Sequence, residues 1–202
     1  MRTYTVLRLT EASAIPLFEQ HVRRLGEPVR AELRAFASKA GAGVYRLWWD
    51  GRQLETLRLP GTALREGMPT RFAISPFAAR HGRFSKPAPP SDYDSVRLDG
   101  VATLLTDLTG AVLLESCRAS LLAWDGAGLV LPPEDQPAVA SVSELEVARK
   151  FPHRRAVLPV KSDWPLLLLN AVEGTCGITV EGRAAFPADV RAQLDAVLRA
   201  EG

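Results

Sequence analysis

Residues 101–131, VATLLTDLTGAVLLESCRASLLAWDGAGLVL, decide the fold. Four short runs rich in apolar and β-forming residues, 101–108, 111–116, 119–124 and 128–131, are separated by turn chemistry. Asp125-Gly126 marks one of the reversals. The runs 111–114 and, further on, the four leucines 166–169 are continuously apolar rather than alternating. A strand reads this way when both of its faces are covered, so the sheet is expected to be enclosed and not half-solvated.

Working outward, TYTVLRL (3–9) alternates as a strand should, and two helical patterns follow it. The first, about 15–25, puts Phe18, Val22 and Leu25 on one face ahead of Gly26. The second, from about Pro28 to Lys39, carries Val29, Leu33, Phe36 and Ala40 ahead of Gly41. Strands are predicted at 43–49, 53–59 and 70–75, the first two joined by Asp50-Gly51, a strong hairpin signal. Residues 76–92 hold Pro76, Gly82, Pro87, Pro89 and Pro90 and read as a linker. Past the central strands, Ser143 and Glu146 form an S-x-x-E capping box that predicts a helix start near Ser143. Strands follow at 156–160, 166–170 and 177–180. A last amphipathic helix begins near Pro187, with Val190, Leu194, Val197 and Leu198 inward. The expected architecture is α+β, or mixed α/β, in two lobes: residues 1–80, a linker at 81–92, and a β-rich lobe at 93–202.

Composition removes several classes of function. The chain has 202 residues, 47% hydrophobic and 24% charged, with 25 basic and 23 acidic residues for a net charge of +2. That balance lacks the dense basic footprint of a nucleic-acid partner. No apolar run approaches the about 20 residues needed to span a bilayer, and the N-terminus shows no basic region followed by an apolar stretch, so no membrane partner and a cytoplasmic location are expected. Cys117 and Cys176 are lone thiols without metal-ligand spacing, so no metal site is expected, and small buried side chains are their plain reading. His21, His81 and His153 have no ligand partner nearby in sequence. No P-loop, GxGxxG, GxSxG or HExxH string occurs. Chemistry that needs an amine has four lysines to choose from: Lys39, Lys86, Lys150 and Lys161.

A scattered set of residues, in order along the chain, resembles the fold-type IV pyridoxal phosphate enzymes: the class IV aminotransferases, including the D-amino acid aminotransferase-like members, and the related aminodeoxychorismate lyases. YTVLRL followed by LFEQHVRRLG resembles the family's strand and H-x-x-R-L helix, which implies that Arg24 holds the cofactor phosphate. A guanidinium suits that task, being always charged and able to give two donors to phosphate oxygens. FSKPAPPSDYDSVR (84–97) resembles the family's lysine followed, seven residues on, by a tyrosine-aspartate pair. This implies that Lys86 is the Schiff-base lysine and places Tyr93 at the cofactor face or merely in packing.

DLTGAVLLESCRASLLAWDG (107–126) resembles the family's strand, turn and strand, with Glu115 on the acidic residue that keeps the cofactor's pyridine nitrogen protonated. The other reading of Glu115 is a strand-end carboxylate in solvent or paired to Arg118. LVLPPEDQPAVASVSELEVAR (129–149) resembles the stretch ending in a phosphate-binding helix start, with Val142 and Ser143 cradling the phosphate through backbone amides and a hydroxyl. LLLLNAVEGTCGITVEG (166–182) resembles the closing strand and loop, with Asn170 and Ala171 at the phosphate.

The resemblance implies an enzyme using pyridoxal 5'-phosphate, a class IV aminotransferase acting on an amino or keto acid, and a homodimer. Aminodeoxychorismate lyase, which releases pyruvate in folate synthesis, is the alternative enzyme, and the Lys86 to Tyr93 spacing leans toward it. A third reading is a non-catalytic member acting as a binding module, motivated by the departures at Ser85, Pro87 and Ser120. Arg46, Arg71 and Arg97 are further candidate anion partners.

Overall fold

The computed structural model describes residues 3–60, 64–84, 93–139 and 141–200. The alternating segment becomes β1 (Thr3–Leu9), which pairs antiparallel with β2 (Gly43–Trp49), itself paired with β3 (Leu54–Leu59). Asp50 builds the β2–β3 turn by accepting the N–H groups of Arg52 and Gln53, each at 2.8 Å. One face of this sheet, carrying Leu7, Leu9, Tyr45, Leu47 and Trp49, packs under α1 (Phe18–Leu25) and α2 (Arg30–Lys39). Helix α1 starts later than its periodicity suggests because Leu17 takes a left-handed conformation (φ 59°) and breaks the helix there. A 3₁₀ turn at Glu27–Val29 leads into α2.

The remaining strands are β4 (Met68–Ile74), β5 (Arg83–Phe84), β6 (Ala102–Thr106), β7 (Val112–Ser116), β8 (Ser120–Trp124), β9 (Leu129–Leu131), β10 (Ala138–Val139), β11 (His153–Arg155), β12 (Leu158–Pro159), β13 (Leu166–Asn170) and β14 (Gly174–Thr179). Nine of them form one sheet in the order β11-β9-β8-β13-β14-β4-β6-β7-β12. The sheet curls, and its two outermost strands follow one another in the chain. Within residues 153–160, β11 pairs with β9 at one end of the strand order and β12 pairs with β7 at the other. Ala156 N–H donates to the Leu131 carbonyl and Val160 N–H to that of Ala111, so this single passage of chain serves both edges.

That curl explains the leucine runs. Leu121, Leu166 and Leu168 point to the inside of the curl with Leu104, Leu113 and Val130. Their neighbours Leu122, Leu167 and Leu169 point outward against α3 (Val142–Lys150) and α4 (Ala188–Arg199). Both faces are covered, as the uninterrupted apolar pattern predicts.

Strand β4 precedes residue 80 and is a parallel neighbour of both β6 and β14. Two expectations are corrected. The 76–92 stretch is not all linker, because Arg83–Phe84 pairs in parallel with Ala138–Val139. The α3 cap is Ser141 and not Ser143: Ser141 Oγ accepts the Glu144 N–H, which lets Val142 turn inward beside Val147. No helix among the described residues is long and apolar enough to cross a membrane.

Leu168 is fully buried inside the curl. Leu168→Ala is expected to cost about 2–5 kcal/mol in unfolding free energy, read by chemical denaturation. The same change at the exposed Leu57 on β3 is expected to stay within about 0.5 kcal/mol.

Candidate active site

The period-two alternation that sends Leu7, Leu9 and Leu47 under the helices sends Tyr4, Val6, Arg46 and Trp48 to the opposite face of the small sheet. Tyr4, Val6 and Arg46 meet residues of β7, the β7–β8 turn, the α3 N-terminus and the end of β13 around a cavity of about 410 Å³. This lies within the range of small-molecule sites, about 300–1,000 Å³.

The centre of the site is Glu115 on β7, which is only 4% exposed. A buried carboxylate is costly unless its oxygens receive hydrogen bonds. Tyr93 Oη donates to Oε1 at 2.7 Å, and the Val139 N–H donates to Oε2 at 3.2 Å. Phe77, Leu105 and Cys117 form the apolar cluster beside Tyr93 and Val139. Burial, reinforced by the charge of Glu115, pushes the Tyr93 hydroxyl well above the ordinary tyrosine range, so it stays a donor. The alternative partner Arg118 turns elsewhere, to Asp99 at 2.8 Å.

Arg24, in the last turn of α1, also lines the cavity. Burial pulls its guanidinium below the usual arginine value, while Tyr4, Glu115 and Tyr93 nearby act in the opposite sense. Val142, the first residue of α3, and its cap Ser141 form another part of the wall. The N–H groups of the first helical turn have no intrahelical acceptor and present the positive end of the helix dipole. The Ser143 side chain does not reach the cavity; it is fully buried, and its hydroxyl has no hydrogen-bond partner among the described residues. Asn170 and Ala171 line the cavity, but both polar ends of Asn170 are used by backbone: Nδ2 donates to the Arg118 carbonyl at 2.9 Å and Oδ1 accepts the Val172 N–H at 2.7 Å.

Lys86 lies outside the described residues. Phe84 and Tyr93, which bracket that stretch, both belong to the cluster beside Glu115. Of the further arginines, Arg46 and Arg97 line the cavity, whereas Arg71 is spent on Thr103 and the Val96 carbonyl. Sequence reasoning missed Tyr4 and Ser141. The alternation of residues 3–9 marks Tyr4 as facing away from Leu7, and a second S-x-x-E register, Ser141 to Glu144, marks the cap.

No family model matches the chain, and no curated protein matches it. Solved structures do. A 4-amino-4-deoxychorismate lyase from Pseudomonas aeruginosa superposes with a TM-score of 0.73 at 19% identity, over 98% of this chain and 90% of that one. A hypothetical aminotransferase from Mycobacterium tuberculosis, solved with pyridoxal phosphate bound, gives a TM-score of 0.62 at 19% identity, over 98% and 89%. Its form bound to α-ketoglutarate and pyridoxamine phosphate gives 0.62 at 16% identity, over 98% and 88%. The chain therefore has the mixed α/β fold, with its curled sheet, of the fold-type IV aminotransferase and lyase structures.

Beside Arg24 in sequence, His21 fixes α1 to β1. Its Nδ1 is 2.7 Å from Thr5 Oγ1, it is fully buried, and burial followed by the Arg24 charge holds its pKa down at about 3. The folded protein thus keeps His21 neutral while the unfolded chain protonates it below about pH 6.5, so its contribution is present above that pH and is lost as pH falls. Glu173, pushed up to about 7 by burial, works in the opposite direction between its unfolded value and pH 7. Comparing wild type with His21→Gln isolates the histidine: the difference in unfolding free energy is expected to shift against wild type by about 1.4 kcal/mol per unit from pH 6 to pH 4.

Proposed function

We propose that this chain is a pyridoxal phosphate-dependent enzyme of the class IV aminotransferase kind, acting on an amino or keto acid, with Lys86 as the amine that attaches the cofactor. The observation that carries the reading is the buried Glu115 carboxylate, held by Tyr93 and Val139 in a cavity shared with Arg24 and the α3 N-terminus. That donor set fits the group. A fixed carboxylate suits a protonated ring nitrogen, and a guanidinium with free helix-start amides suits a phosphate. When bound, pyridoxal phosphate supplies a ring that takes up the electron pair released at the substrate carbon.

The protein's own groups then divide the work. Glu115, whose two oxygens already accept from Tyr93 and Val139, would accept the ring N–H. Arg24 and the Val142 and Ser143 amides would hold the phosphate. Asn170 acts at one remove, shaping the turn that leads to Ala171. Lys86 Nζ carries the proton to and from the substrate carbon. A homodimer and a cytoplasmic setting belong to the same reading.

The second reading is an aminodeoxychorismate lyase, favoured by the spacing of Lys86 to the Tyr93-Asp94 pair. The relatives named above as lyase and aminotransferase carry both possibilities in one fold.

Purified protein mixed with pyridoxal phosphate is expected to develop a visible absorbance band that Lys86→Ala abolishes. Glu115→Gln is expected to keep the band and lower turnover. A keto acid formed from an amino acid panel supports the aminotransferase, whereas pyruvate released from aminodeoxychorismate supports the lyase. Absence of the band in wild type overturns both and leaves a non-catalytic binding module.

A further inference from the structure

Glu144 follows the cavity-lining Ser141 and Val142 in the first turn of α3, and its side chain is only 6% exposed. Its Oε1 accepts from Arg83 Nη2 at 3.0 Å and from Arg155 Nη1 at 3.1 Å. The same two nitrogens donate to the Pro132 carbonyl, at 3.2 Å and 2.7 Å. Arg155 also meets the exposed Glu134 at 3.2 Å. One carboxylate oxygen thus joins the start of α3 to β5 through Arg83 and to β11 through Arg155, with the chain just past β9 held between them.

Stability is a poor account of this cluster. A buried ion pair gains little over packed apolar side chains unless its hydrogen-bonding groups are satisfied, and here Glu144 Oε2 and Arg83 Nε are buried without a partner among the described residues. What the cluster does hold is the helix start. Ser141 Oγ accepts the Glu144 N–H at 3.5 Å, which leaves the Val142 and Ser143 N–H groups with no acceptor inside the helix. Such donors serve an anion best when they are aimed in advance, and a helix end held only by its cap is prone to fray. A carboxylate so near those amides would by itself repel a phosphate; the two guanidiniums set against it offset that repulsion.

We infer that Glu144 and Arg83 are positioning residues for the phosphate cradle at the start of α3: through Arg83 and Arg155, Glu144 fixes the first helical turn against β5 and β11, so that its amides are aimed before the anion arrives. The inference rests on the function proposed above. Pyridoxine 5'-phosphate is the probe, since it lacks the aldehyde and binds without a bond to any lysine. Its affinity for the full chain, freed of cofactor, is measured by calorimetry, and the phosphorus resonance of the bound probe is followed across about pH 5 to 8. A free phosphate ester takes up its second proton near about pH 6; one held by aimed amides stays a dianion.

Wild type is expected to bind the probe with a phosphorus resonance that stays fixed over that range. Glu144→Ala and Arg83→Gln are each expected to lose about ten- to hundredfold in affinity and to give a resonance that titrates. The double variant is expected to lose no more than the larger single loss, because the two residues act through one bond. Glu146→Ala is the control. It removes a comparably buried carboxylate from the same helix, one that serves Gln20 and Arg149, and is expected to change the affinity by less than about threefold. Unchanged affinity or a fixed resonance in Glu144→Ala, an equal loss in Glu146→Ala, or single losses that simply add overturns the inference. If Glu144→Ala does not fold, Arg83→Gln, which leaves Arg155 on the carboxylate, decides by the same two readings. Wild type that fails to bind the probe marks failure of the parent reading; wild type that binds it, with variants that bind it equally well, marks failure of this inference alone.

Discussion

The site is built on one constraint: a carboxylate placed on a buried strand must be given donors. Glu115 receives one from Tyr93 and one from the Val139 backbone. Those two bonds join β7 to Tyr93 and to β10, which in turn pairs with β5. Removing the carboxylate would take away the acceptor of both bonds at once, beside a cluster that includes Phe77, Leu105 and Cys117. Three separated parts of the chain are thus held in register by one buried carboxylate, where an apolar side chain would pack more cheaply.

Much of the fold is legible in the sequence because local patterns and tertiary needs agree. The alternation of TYTVLRL, the Asp50-Gly51 turn and the double-faced leucine runs each become what their physics demands. What escapes is contact between distant segments. The β5–β10 bridge is two residues long on each side and carries no pattern of its own. The placement of β4 between β6 and β14 depends on parallel partners that no local signal names. Ser141 and Ser143 both satisfy S-x-x-E, and the choice between them turns on which register buries Val142 and Val147 together.

The site divides in the same way. Glu115 is readable because a carboxylate after four apolar residues is chemically expensive, and Arg24 because its motif is local to one helix. Arg46 reads in sequence as one more residue on the polar side of an alternating strand, the side that usually meets water. Only the packing of the small sheet against the curled one converts that side into a cavity wall. Conversely, Asn170 sits where the motif order puts it, yet its amide serves the backbone. Residue type and position along the chain do not reveal how a side chain's hydrogen-bonding capacity is spent.

The edges of the large sheet bear on how the protein behaves in company. Among the described residues its two outermost strands, β11 and β12, are only three and two residues long, a short ladder to offer another polypeptide. In the small sheet the outer strand β1 is largely buried, whereas β3 pairs only with β2 among the described residues and keeps Thr56, Leu57 and Arg58 exposed. Capacity for strand recruitment in crowded solution is therefore concentrated on β3. There Glu55 and Arg58 place charges of opposite sign along a short, solvent-facing strand, the kind of guard that discourages unsolicited self-assembly.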